Sequence, residues 1–124
     1  MKLRIKGNTI RIRMTKSEVA YFSENRFIEE STDFGSRKFT YGMKACDGLD
    51  QIKAEYINDG IIISIPVEMS KEWTETNRVG MSEEIPLSDN KKLYVLIEKD
   101  FKCLDETSED QSDNYANPLS DKLK

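Results

Sequence analysis

Five cations alternate with apolar residues at the start of this sequence: Lys2, Arg4 and Lys6, then Arg11 and Arg13. Period-two spacing puts them on one face of a β-hairpin, with Leu3, Ile5, Ile10, Ile12 and Met14 on the other. Like charges directly opposite one another weaken strand pairing by ~0.2–1 kcal/mol a pair, so folding alone does not ask for this cluster. Anion recognition does. A guanidinium presents a planar fork that meets phosphate or carboxylate oxygens two at a time. Lys2, Arg4, Lys6, Arg11 and Arg13 are therefore a candidate surface for binding, or hydrolysing, a phosphorylated or otherwise anionic small molecule. The alternative is a salt-bridged face, in which Glu29, Glu30, Glu55, Glu83 or Glu84 interleaves with the cations.

A second constellation lies near the other end. In Glu98-Lys99-Asp100-Phe101-Lys102, a continuing strand places Glu98, Asp100 and Lys102 on one face. Two carboxylates beside a lysine are the donor set that holds a divalent cation, Mg²⁺ or Mn²⁺, against a polyphosphate. The same three charges also suit the solvated face of an edge strand.

Histidine is absent among the 124 residues. That excludes Ser-His-Asp and Cys-His nucleophile systems and histidine zinc sites, and leaves acid–base work to Asp, Glu, Lys, Tyr or Cys. Two cysteines, Cys46 and Cys103, are too few for a structural zinc site, and with no apolar leader at the N-terminus they point to unpaired thiols in the cytoplasm. No run approaches the ~18–20 apolar residues of a membrane span.

Charge is unevenly distributed. Of 19 basic and 23 acidic residues, two and six fall in 103–124, which leaves 17 of each sign in residues 1–102. The pI near 5.0 thus describes an acidic tail on a neutral body. No domain-wide positive field exists for nucleic acid. The stretch Asp105 to Asn117 has the composition of an EF-hand loop without its spacing and reads as loop or disorder, with Tyr115 and Pro118 available to anchor it.

The elements that position these residues follow from the pattern. Gly7-Asn8 turns the first hairpin. Thr15-Lys16-Ser17-Glu18 is a capping box that starts a helix over 15–25. Strands are expected at 26–33 and 37–45, then a pair about Asn58-Asp59-Gly60 that includes the run Ile61–Ile65. A helix at 66–74 follows, opened by Pro66, and strands at 77–84 and 91–99 end the plan.

The two halves share this order, and residues match at shifts of about 51 to 54. Ile10, Ile12 and Met14 align with Ile61, Ile63 and Ile65, Phe22 with Trp73, Arg26 with Arg78, and Phe39, Tyr41 and Met43 with Leu93, Val95 and Ile97. The expected fold is α+β and mostly antiparallel: two ββαββ units forming one curled or barrel-like sheet of about eight strands with two short helices. Residues 1–102 would form the domain and 103–124 the tail. Leu3, Ile5, Ile10, Ile12, Phe22, Ile61, Ile63, Ile65, Trp73, Leu93, Val95 and Ile97 would form the core.

Through MKLRIKGNTIRIRMTKSEV, KEWTETNRVG and LIEKDFKCLDETSEDQSDNY the whole chain resembles a group of small bacterial proteins known as a domain of unknown function. It is also similar to the CYTH-type triphosphate tunnel enzymes, whose barrel is an eight-stranded antiparallel duplication with four strands between two helices. Glu98-x-Asp100-x-Lys102 is similar to their Glu-x-Glu-x-Lys signature, and Arg11-x-Arg13 looks like their Arg-x-Arg strands. That likeness implies a phosphorylated ligand. Without it, the competing expectation is a non-catalytic module that docks a partner protein on a sheet edge or the acidic tail.

Overall fold

The computed structural model describes residues 1–101 together with Asp113 and Tyr115. Ten elements run in the order β1 (Lys2–Lys6), β2 (Thr9–Met14), α1 (Lys16–Asn25), β3 (Phe27–Asp33), β4 (Lys38–Cys46), β5 (Lys53–Tyr56), β6 (Gly60–Pro66), α2 (Val67–Glu75), β7 (Gly80–Pro86) and β8 (Lys92–Lys99). Each half is ββαββ, as the pattern implies. The capping box holds α1 at its start, where the Glu18 carboxylate accepts the Thr15 amide at 2.9 Å. Arg26, in the left-handed region at φ 58°, ends the helix by donating its N–H to the Phe22 carbonyl. Among the described residues no helix is long and apolar enough to cross a membrane.

The strands do not form one antiparallel sheet. They form two four-stranded mixed sheets, ordered β1-β2-β8-β7 and β3-β4-β6-β5, and no closed barrel. The central pairs, β2 with β8 and β4 with β6, run parallel, while the flanking pairs are antiparallel. The cause is the helix that follows each first hairpin. It carries the chain to the other sheet, so β2 is left to pair with a strand of the other unit. Alternation fixes which face a side chain takes, but not which strand lies beside it or in which direction.

Exchanging the two units maps one sheet order onto the other. Ile12 lies beside Ile97 as Ile63 lies beside Met43, in agreement with the sequence alignment. One match shifts: Ala45 bonds the Arg26 carbonyl as Lys99 bonds that of Val79, so Arg26 corresponds to Val79 and not to Arg78.

Both sheets turn their apolar faces to one core. Ile12, Met14, Val95 and Ile97 meet Met43, Ile63 and Ile65, with Phe22 and Trp73 wedged in from the helices. Leu3 and Leu93 are only half-buried, and Ile5 is 56% exposed. Ile5 sits on an edge strand at the end of the sheets far from the helices, where nothing closes over it. Lys99 is one of the few buried polar residues among those described. It donates to the Thr76 carbonyl at 2.8 Å and lies 5.9 Å from the centre of the Trp73 ring and 5.5 Å from that of Tyr115, and burial holds its ammonium below the ordinary value of 10.5.

Both described tail residues meet the body. Asp113 receives the Lys16 amide on its carbonyl, and the Ser17 amide and hydroxyl on its carboxylate, at the first turn of α1. Tyr115 donates its N–H to the Asp100 carbonyl and packs its ring 5.6 Å from Phe101. Cys46 is a free thiol. Lys102, Cys103, Pro118 and the rest of the expected loop lie outside the described residues.

At the start of β1 the Met1 ammonium pairs with Glu18 and with Glu30, the latter at 2.9 Å. The Tyr41 hydroxyl donates to Glu30 at 3.1 Å. In the other unit the corresponding carboxylate, Glu83, accepts the Ile52 amide. Burial works against the charge of Glu30, but the ammonium outweighs it and holds the carboxyl below its ordinary value of 4.5. Its folded pKa is depressed, so Glu30 contributes stability above about pH 4.5 that is lost as the pH falls through the lowered value. Urea melts between pH 7 and 3 are expected to show this loss in the wild type and a shallower one in Glu30→Gln. Equal acid slopes would contradict it.

Candidate anion-binding face

The β1–β2 hairpin sets the cations in facing rows: Lys2 opposite Arg13, Arg4 opposite Arg11, and Lys6 opposite Thr9. All five share the face turned away from the core, as their spacing implies. The parallel neighbour β8 then brings Leu96 beside Arg11 and Glu98 beside Arg13. One carboxylate oxygen, Glu98 Oε1, lies 2.6 Å from Arg11 Nε, 2.5 Å from Arg11 Nη2 and 2.8 Å from Arg13 Nε. Asp100, buried just past the end of β8, lies 3.2 Å from Lys2 Nζ.

Glu98 and Asp100 are thus counter-ions of the cationic face. Among the described residues no three His, Cys, Asp or Glu side chains gather as a metal cluster. Glu98 Oε1 is shared by two guanidinium groups and Asp100 lies against Lys2, so in this arrangement each carboxylate serves a cation of the same face.

The acids offered by the sequence as interleaving partners lie elsewhere. Glu30 holds the Met1 ammonium, Glu83 the Ile52 amide, and Glu84 lies 3.4 Å from Lys92. Glu29 and Glu55 belong to the other sheet. The true partner, Glu98, was not legible as one because its place depends on a parallel register between strands some 85 residues apart.

The remaining cations are differently placed. Among the described residues Arg4 and Lys6 have no ion-pair partner. With Thr9 and Arg11 they line a hollow of 240 Å³. A Thr hydroxyl beside three cationic side chains can donate or accept at the same ligand oxygen. The hollow thus gathers three cationic side chains and one hydroxyl on the outer face of the sheet.

The other unit supplies an internal control. By the strand registers, Arg4, Lys6, Arg11 and Arg13 correspond to Glu55, Ile57, Ile62 and Ser64, and Glu98 corresponds to Lys44. The same scaffold is built there without the cation cluster. Its presence on one sheet only is not a requirement of the fold.

No curated protein and no solved structure matches the chain, and no comparison supports the likeness to CYTH-type enzymes. One family model does match, over residues 1–119, and by it the chain belongs to DUF7009, a family of unknown function.

Proposed function

We propose that the outer face of the β1–β2 hairpin binds a phosphorylated or otherwise anionic small molecule, seated in the hollow of Arg4, Lys6, Thr9 and Arg11. The observation that carries this reading is Arg4 and Lys6, side by side and without a counter-charge among the described residues, across from an arginine that shares its own. Among the described residues Arg4 and Lys6 meet no carboxylate, and an anion in the hollow would neutralise them. The absence of such a cluster at the corresponding positions of the other unit supports a role beyond folding. Glu98 has a place in this reading too. It keeps Arg11 and Arg13 oriented when the hollow is empty and leaves Arg11 free to turn one N–H toward a ligand oxygen.

Pyrophosphate, AMP and citrate, each with and without Mg²⁺, are the probes. A ligand that selects the folded chain stabilises it by ~2.7 kcal/mol at 100 times its Kd, so the melting temperature should rise with at least one of them. The double variant Arg4→Gln/Lys6→Gln is expected to bind that probe ~10–100-fold more weakly, since each charge-assisted hydrogen bond contributes ~1.5–3 kcal/mol. Its own stability should stay unchanged or rise slightly, because among the described residues neither holds an ion pair and Arg4 lies opposite Arg11. No shift with any probe, or equal binding by the variant, would reject the reading.

A further inference from the structure

The second unit shows what fits between its helix and its outermost strand. Arg78 reaches across that gap. Its Nε donates to the Gly80 carbonyl at 2.9 Å, and its Nη1 pairs with Glu72 at 3.1 Å. Val79 gives its carbonyl inward to Lys99, so Gly80, the next residue, turns its own outward from the sheet. A guanidinium is therefore at home against an outward carbonyl at the start of β7.

Exchange of the units equates Gly80 with Phe27 and Glu72 with Tyr21. In the first unit no described side chain bridges the gap in this way. Arg26 is held in the left-handed region and turns its side chain to Asp47 at 3.8 Å. What remains is a groove of 540 Å³ between α1 and β3, lined by Ser17, Glu18, Tyr21 and the consecutive residues Phe27, Ile28, Glu29 and Glu30. Arg26 gives its carbonyl inward to Ala45, so Phe27 and Glu29 point their N–H and C=O groups out along the edge. Tyr21 and Phe27 are 53% and 40% exposed. Among the described residues Glu29 has no ion-pair partner.

We propose that this groove receives an extended, arginine-bearing segment of a partner protein. The segment adds as a strand to the edge of β3 and lays its guanidinium over Tyr21, against the Phe27 carbonyl. Three observations converge on that chemistry. Among the described residues the edge of β3 has no neighbouring strand, and it offers its outward backbone groups for strand addition. The groove is lined by aromatic rings and carboxylates, which attract a cation through ring faces and charge together. The corresponding position in the same molecule already holds a guanidinium. A second copy of β3 is the less suitable occupant, because Glu29, Glu30 and Asp33 would meet their own kind across the junction.

The probe is a fluorescein-labelled, amide-capped hexapeptide, Thr-Val-Arg-Val-Thr-Val, titrated with the full chain and read by anisotropy. Saturable binding is expected. Replacing arginine by citrulline, which keeps the shape and removes the charge, should weaken it about tenfold. Methylating alternate backbone nitrogens of the peptide should weaken it at least as much, by blocking the ladder. Tyr21→Ala and Glu29→Lys, both at exposed positions, should weaken it ~3–10-fold with unchanged melting temperatures. No saturable binding, or indifference to citrulline, to methylation or to both variants, overturns the proposal. A dimer in sedimentation that the peptide dissolves would overturn it as well, by giving the groove to a second copy. Because Arg4 and Lys6 lie on the other sheet, Arg4→Gln/Lys6→Gln should leave peptide binding intact, so this proposal and the anion reading fail separately.

Discussion

Replacing Trp73 by alanine is expected to destabilise the chain by ~3–5 kcal/mol, the usual cost of deleting a fully enclosed aromatic side chain. Trp73 is completely buried, and its indole N–H donates to the Val79 carbonyl at 3.0 Å, which ties α2 to the entry of β7. The ring also forms one wall around the Lys99 ammonium. Alanine would leave a cavity and a buried cation with less covering at once, and would take away one of the two donors to the Val79 carbonyl. For a domain of this size the melting temperature should fall by roughly 10–20 °C. Trp73→Phe should recover a large part of the loss, since it refills the space and restores only the packing. A Trp73→Ala melting curve that overlays the wild type would show that α2 is not seated in the core.

Removing the internal counter-ion is expected to act on stability and affinity in opposite directions. Glu98→Gln leaves Arg11 and Arg13 without their shared carboxylate and adds their repulsion to that of Arg4. Both arginine side chains are 30–40% exposed, so solvent screens the penalty, and ~1–2 kcal/mol of stability should be lost. Salt should restore part of it. The same substitution frees two guanidinium groups, so any anion that enters the hollow should bind about tenfold more tightly. Weaker binding in this variant would mean that Glu98 belongs to the ligand's own contacts, and the reading of the face would have to change. The variant also separates two roles that Arg11→Gln/Arg13→Gln would confound. Those arginines hold a carboxylate as well as facing the hollow, so their joint loss strands Glu98 and lowers stability whether or not a ligand exists.

How much of this was legible in the sequence depended on whether the information was local. Turn chemistry at Gly7-Asn8, the Thr15–Glu18 box and the alternation of Ile10, Ile12, Ile61, Ile63 and Ile65 are short-range signals, and the elements form where they point. The shared face of the five cations follows from period two alone. The partner of that face did not, because it requires knowing that β8 lies beside β2 in parallel. The same gap explains the single antiparallel sheet expected in place of two mixed ones. Ile5 was placed in the core because its spacing is right, yet spacing names a face and not how far cover extends along it. The groove beside β3 left no trace in the pattern. In the other unit Arg78 bridges the helix and the start of β7, whereas Arg26, set one position out of step and in a left-handed turn, points to Asp47 instead.

The exchange of hairpins between the sheets bears on how the chain can come into being. Neither half owns a sheet. Each contributes two hairpins that become central only when the other half arrives, and the β2–β8 pairing closes a loop of most of the chain. Partial folding is therefore poorly rewarded. A first half emerging during synthesis has an apolar hairpin face and two strand edges with no mate in its own sequence. It would wait for the second half or borrow that of a neighbour. The topology that makes the finished molecule all-or-none also makes trading of halves between nascent chains its natural failure.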